Sequence, residues 1–141
     1  MELDELTCWT RLEPKGAQVF SGTARYTKDI NVPDQFVNGS HKLELDLGQV
    51  AEVAEVSVNG QQTGVTWKPP YRVDVTKLLK AGSNRIEVNV TNLWNNRIVG
   101  DLRYPDEGEF AKTNMKHKFE AETELLRSGL IGPVVLRQTQ G

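Results

Sequence analysis

Apolar residues in this chain recur at every second position in run after run, and that period restricts the fold more than any other feature. Leu43, Leu45 and Leu47 alternate with polar residues in KLELDLG, as do Ala54, Val56 and Val58 in AEVSV, Tyr71, Val73 and Val75 in YRVDV, and Ile86, Val88 and Val90 in NRIEVNV. A period of two puts every apolar residue of a run on one face of an extended strand, whereas an amphipathic helix needs a period of 3.6. Asn59-Gly60 follows directly on one such run. Asn-Gly adopts the positive φ values that a tight hairpin turn requires, so a hairpin is predicted there. Upstream, Phe20, Ala24, Tyr26, Ile30 and Val32 share one parity. They predict a long strand, bent at Gly22 and stopped by Pro33. Thr76 is placed to cap a single helical turn over KLLKAG. The stretch 93–108 reads as a long, turn-rich loop, 109–127 has no clear period, and GPVVLR predicts a closing strand.

Roughly seven or eight short strands with almost no helical period indicate an all-β antiparallel β-sandwich, with a jelly-roll as its topology. A chain of 141 residues is the size of one domain and needs neither metal nor disulfide to fold. Residues 1–17 read as a lead-in segment or linker anchored by Leu6, Trp9 and Leu12, and 18–141 as the sandwich.

Composition narrows the function by exclusion. Seventeen Lys and Arg against nineteen Asp and Glu give a net charge of -2, so no overall positive field gathers nucleic acid. Lys112, Lys116, His117 and Lys118 are followed by Glu120, Glu122 and Glu124, which cancel most of their field beyond a Debye length. Cys8 is alone, and His41 and His117 have no companions at ligand spacing, so no transition metal is expected. Apolar runs are too short for membrane insertion. The start, Met1-Glu-Leu-Asp-Glu, lacks the pattern of an export signal. Asp101, Asp106, Glu107 and Glu109 are close in sequence, but glycosidase chemistry needs two carboxyl groups at a fixed separation, so catalysis by this chain alone is not expected.

Two stretches carry candidate binding groups. In TWKPPYRVDVT, Pro69 and Pro70 lock φ and stiffen the bend that carries Trp67. Trp67 and Tyr71 can offer ring faces to a pyranose, or both can plug one end of the sandwich; Tyr71, in phase with Val73 and Val75, belongs on the inward face. In NLWNNRIVGDLRY, Trp94 can stack on a sugar while Asn96, Arg97, Asp101 and Arg103 make paired hydrogen bonds to vicinal hydroxyls. The alternative is that Arg97 and Asp101 pair to pin the loop and Trp94 docks on the sheet.

Three stretches, FSGTARYTKDINVP, LDLGQVAEVAEVSVNGQQTGVTWKPPYRVDVTKLLKAGSNRIEVNVTN and SGLIGPVVL, resemble the sugar-binding, galactose-binding-like jelly-roll of family 2 glycoside hydrolases. NLWNNRIVGD is similar to the corresponding domain of family 106 α-L-rhamnosidases. The resemblance covers most of residues 9–137. It implies a non-catalytic carbohydrate-binding module of a rhamnosidase-like enzyme acting on polysaccharide side chains, with the catalytic carboxylates in a separate domain of the parent. The partners it implies are a rhamnose- or galactose-containing glycan and that catalytic domain, and a parent exported by a bacterium would place the module in the periplasm or outside the cell. A packing module with no sugar affinity is the other reading. Domains of this kind often hold a structural calcium ion on backbone carbonyls and a few acidic side chains, so the resemblance leaves room for one and implies no other cofactor.

Overall fold

The computed structural model describes residues 1–140; Gly141, the last residue of the expected sandwich, lies outside them. Among the described residues nine strands form: β1 (Thr23–Val32), β2 (Lys42–Asp46), β3 (Gln49–Ala51), β4 (Val53–Val58), β5 (Gln61–Thr66), β6 (Arg72–Asp74), β7 (Gly82–Thr91), β8 (Gly129–Gly132) and β9 (Val135–Thr139). They pair antiparallel in three sheets with strand orders β1-β7-β4-β5, β6-β2-β9 and β3-β8. The period-2 residues meet in one core. Ala54, Val56, Val58, Val88 and Val90 of the larger sheet cluster with Leu43, Leu45, Leu47, Val73 and Val75, all buried. Each full burial of a Val or Leu side chain contributes about 1.5–3 kcal/mol, so this seam dominates the stability.

The turn after β4 has Asn59 at φ 51° and Gly60 at φ 82°, and it joins β4 to β5 as the Asn-Gly pair requires. The Asn59 amide then donates to Leu78 O at 3.0 Å and to Asn84 Oδ1 at 2.9 Å. Asn84 is buried and also accepts from Lys80 N and donates to Lys80 O and Gly82 O, so one side chain organises the whole approach to β7.

Four local expectations change. The first strand begins at Thr23, and Phe20 lies before it, partly exposed, with its carbonyl held by Asn92 at 2.7 Å. Thr76 caps no helix, because its hydroxyl bonds Leu43 N at 2.9 Å and so ties the 75–79 turn to β2. Residues 95–103 are helix rather than loop. The one closing strand becomes two, with Pro133 between β8 and β9.

Short helical turns cover Lys15–Gln18 (α1) and Asp34–Val37 (α2), and the nine-residue helix α3 (Asn95–Arg103) follows β7. Trp9, in the lead-in segment, is 4% exposed and belongs to the core. Its indole N–H donates to the Tyr26 hydroxyl, which also accepts from Leu130 N. Gly129, at φ 95°, lies flat against that indole, where any Cβ would collide with the ring.

Candidate functional site

Strand register decides which loops share an end of the molecule. Thr66 of β5 pairs with Ala54 of β4, Ala54 with Val90 of β7, and Val90 with Ala24 of β1. The ends of β5 and β7 and the starts of β1 and β4 therefore form one edge. Trp67 leaves that edge from β5 and Trp94 from β7, two strand positions apart, or about 10 Å between backbones. Both indoles face solvent, Trp67 at 66% exposure and Trp94 at 64%. Trp94 does not dock on the sheet: it occupies the N-cap position of α3 and is largely exposed. Lys68 Nζ sits 5.3 Å from the centre of the Trp67 ring, a cation–π contact that helps hold the indole's orientation.

The other sequence candidates are turned into the fold. Tyr71 is 6% exposed, and its hydroxyl donates to Glu52 O at 3.0 Å, which fastens the proline bend to the start of β4. Burial, reinforced by the negative charge of Glu52, pushes the Tyr71 phenol above its usual value. Asn96 is 2% exposed and pairs edge to edge with Leu126, donating to its carbonyl and accepting its N–H, each at 2.8 Å. Arg97 Nε donates to Asp101 Oδ1 at 2.9 Å, and its guanidinium lies 4.7 Å from the centre of the Phe110 ring. Asp101 Oδ2 accepts the N–H groups of Phe110 and Ala111 at 3.0 and 2.7 Å. Arg103 donates to Ala121 O and Thr123 O at 2.6 and 2.8 Å. Helix α3 thus clasps the irregular 109–127 segment at three points. Of these four polar residues, expected to meet hydroxyls, Asn96, Asp101 and Arg103 spend their hydrogen bonds on backbone groups that the segment would otherwise leave unpaired, and Arg97 spends its own on Asp101.

The clasp builds a wall. A cleft of about 720 Å³ lies between the proline bend, represented by Pro69 and Tyr71, and residues 124–127, with residues 48–52 as its floor. Gln49, Glu52, Glu124 and Arg127 bring polar groups to it, and Arg127 Nη1 donates to Gln49 Oε1 at 2.8 Å across the floor. None of these four stands out in the sequence, because they come from two segments that only the fold brings together. Among the described residues, no three His, Cys, Asp or Glu side chains converge as metal ligands would. A calcium ion of the kind the resemblance implies would have backbone carbonyls as its main donors. No helix among the described residues is long and apolar enough to cross a membrane.

The fold and the strand-end edge define a galactose-binding-like β-sandwich. Residues 10–123 match the family described as glycosyl hydrolase 2 galactose-binding domain-like, and the chain belongs to that family. It is 40% identical to the protein named "Putative beta-glucuronidase" of Formosa agariphila over 95% of its own length. It superposes on the structure of a rhamnosidase from Novosphingobium sp. PP1Y with a TM-score of 0.84 and 38% identity, over 96% of this chain. A Ruminococcus gnavus beta-glucuronidase, at a TM-score of 0.56 and 18% identity over 64% of the chain, shares the fold alone. The chain spans only 13% of the Formosa protein and 13% of the rhamnosidase. It corresponds to a small accessory domain of such proteins and not to their catalytic region.

Proposed function

We propose that this domain is a carbohydrate-binding accessory module of a rhamnosidase-like glycoside hydrolase, presenting Trp67 and Trp94 to a rhamnose- or galactose-containing glycan. The observation that carries this reading is the pair of solvent-facing indoles on one strand-end edge, one of them on a bend stiffened by two prolines. Exposed indoles on a preorganised surface lose little entropy on binding, and their faces suit the C–H side of a pyranose. The catalytic domain of the parent is the second partner, and export of that parent would place the module in the periplasm or outside the cell. Calorimetric titration with rhamnose, galactose and rhamnogalacturonan fragments tests the reading. Trp67→Ala should weaken binding by at least about fivefold, as for an interface aromatic whose truncation costs more than about 1 kcal/mol. The absence of heat for the unmutated protein would overturn it.

One observation favours a packing role instead. An apolar groove of about 1020 Å³ opens along β1 between the two larger sheets, lined by Leu6, Phe20, Ile30 and Leu136 among others. Met1 and Leu3 are exposed beside it. A domain whose sole role was to pack against its parent would keep this surface covered and show no sugar affinity.

A further inference from the structure

Resting on the glycan-binding reading, we propose that the cleft between the proline bend and residues 124–127, with Trp67 beside one bank and Trp94 beside the other, takes the interior of an extended glycan, at least about three sugar residues long. In this arrangement Gln49 on the floor and Arg127 on the wall beside it hold the hydroxyls of the middle residue.

The two banks of the cleft are what separate this from capture of a single terminal sugar. One bank is the proline bend, and Trp67 stands two residues before Pro69 on it. The other bank includes Leu126, which the Asn96 side chain fixes to α3, and Trp94 caps that same helix. Each indole therefore stands beside a different bank, and the two strands that lead to them, β5 and β7, run about 10 Å apart. A pyranose ring, built from bonds of about 1.5 Å, is too short to lie on both. Two rings flanking a third can reach. The cleft volume, about 720 Å³, lies within the roughly 300–1,000 Å³ typical of ligand sites.

The floor has the chemistry a sugar in the middle position needs. A guanidinium carries five N–H donors, and Arg127 uses one of them on Gln49. Among the described residues Arg127 makes no ion pair, so its remaining donors are not drawn to a carboxylate. The bond to Gln49 Oε1 orients that amide and leaves its NH₂ as a further donor. Glu52 and Glu124 supply acceptors on the same lining. Donors and acceptors side by side suit vicinal hydroxyls, each of which both gives and takes a hydrogen bond. Gln49, Pro69, Glu124, Leu126 and Arg127 are all exposed, so the lining leaves a chain room to pass across rather than enclosing an end.

The test is calorimetric titration of the unmutated domain with β-1,4-galactan and rhamnogalacturonan oligosaccharides of one to six sugar units. Affinity should rise at least about tenfold from the monosaccharide to the trisaccharide and then level off. Trp67→Ala and Trp94→Ala should each remove most of that gain, and Arg127→Ala should weaken the trisaccharide with little effect on the monosaccharide. Urea midpoints of all three variants serve as the folding control, and substitutions at such exposed positions should leave them close to that of the unmutated protein. Monosaccharide binding as tight as that of the longer chains, or a Trp94→Ala variant with unchanged trisaccharide affinity, would overturn the extended-chain inference while leaving carbohydrate binding intact. No binding of any length in either series would overturn the carbohydrate-binding reading itself.

Discussion

Asp101→Ala separates a carboxylate that holds the protein together from one that holds a sugar. The side chain accepts three hydrogen bonds, from Arg97 Nε and from the N–H groups of Phe110 and Ala111. Phe110 is exposed, so water can replace the carboxylate at its N–H. Ala111 is fully buried, so its N–H would be stranded, at about 1–3 kcal/mol. Losing the charged bond to Arg97 costs about 1.5–3 kcal/mol more, toward the lower end because that guanidinium keeps some access to solvent. The expected destabilisation is about 3–5 kcal/mol, a large share of the roughly 5–15 kcal/mol that holds a domain folded. Urea unfolding followed by circular dichroism would read it as a midpoint lowered by more than about 1 M, since the urea slope for a small domain is about 1–3 kcal/mol/M. Limited proteolysis should cut first within residues 112–120, between the points where α3 clasps the segment. Asp101→Asn keeps an acceptor oxygen and should lose less. A change below about 1 kcal/mol in Asp101→Ala, with sugar binding abolished, would refute the structural role and move the carboxylate into recognition.

Two further outcomes follow from single side chains. Asn84→Ala removes the partner of Lys80 N, Lys80 O and Gly82 O from a buried position and releases Asn59 at the hairpin, so it should cost about 1–3 kcal/mol in the same urea assay. Asp46 carries a pH dependence. The Gly48 N–H, with Arg72 and Arg137, holds its carboxyl below the ordinary value of 3.8, against an opposing contribution from burial. A depressed carboxyl stabilises the fold above that ordinary value and loses the contribution as pH falls through its folded value. Thermal melts should therefore show Asp46→Asn less stable than the unmutated protein at pH 7, with the gap narrowing below about pH 4; a constant gap would contradict the linkage.

The parts of this molecule that are legible in sequence are those governed by a local rule. Period-2 alternation set the inward faces of β2, β4, β6 and β7, because burial of one strand face leaves no other register. Asn59-Gly60 announced its hairpin because few other pairs accept positive φ twice in succession. Tyr71 went to the core as its phase required, whereas the exposure of Trp67, on the proline bend outside that strand, was left open by the sequence and comes from the fold. Helix α3 was missed. Its first two residues, Asn95 and Asn96, are poor helix formers, and Trp94 makes no side-chain cap bond, so nothing local starts a helix there. What holds it is tertiary: Ser21 Oγ accepts the Arg97 N–H, and Asn96 bonds Leu126, thirty positions away.

The same distinction explains why the polar residues of α3 looked like a binding surface. A sequence displays donors and acceptors but not the backbone groups they must satisfy. Segment 109–127 has little secondary structure of its own beyond a single 3₁₀ turn at Lys116–Lys118, so much of its backbone needs side-chain partners wherever it is buried. Asn96, Asp101 and Arg103 meet that need, and a residue so engaged is unavailable to a ligand unless the segment lets go. The indoles carry no such obligation. Among the described residues neither the Trp67 nor the Trp94 indole N–H has a hydrogen-bond partner, and their exposed apolar surface lowers the free energy only when something covers it. The distinction can be measured: Trp67→Ala and Trp94→Ala should shift stability by no more than about 0.5 kcal/mol, whereas Asn96→Ala should cost several times that, since it frees both backbone groups of Leu126. A tryptophan variant as destabilised as Asn96→Ala would mean that the indole supports the fold, and the strand-end edge would then have no surface to spare for a glycan.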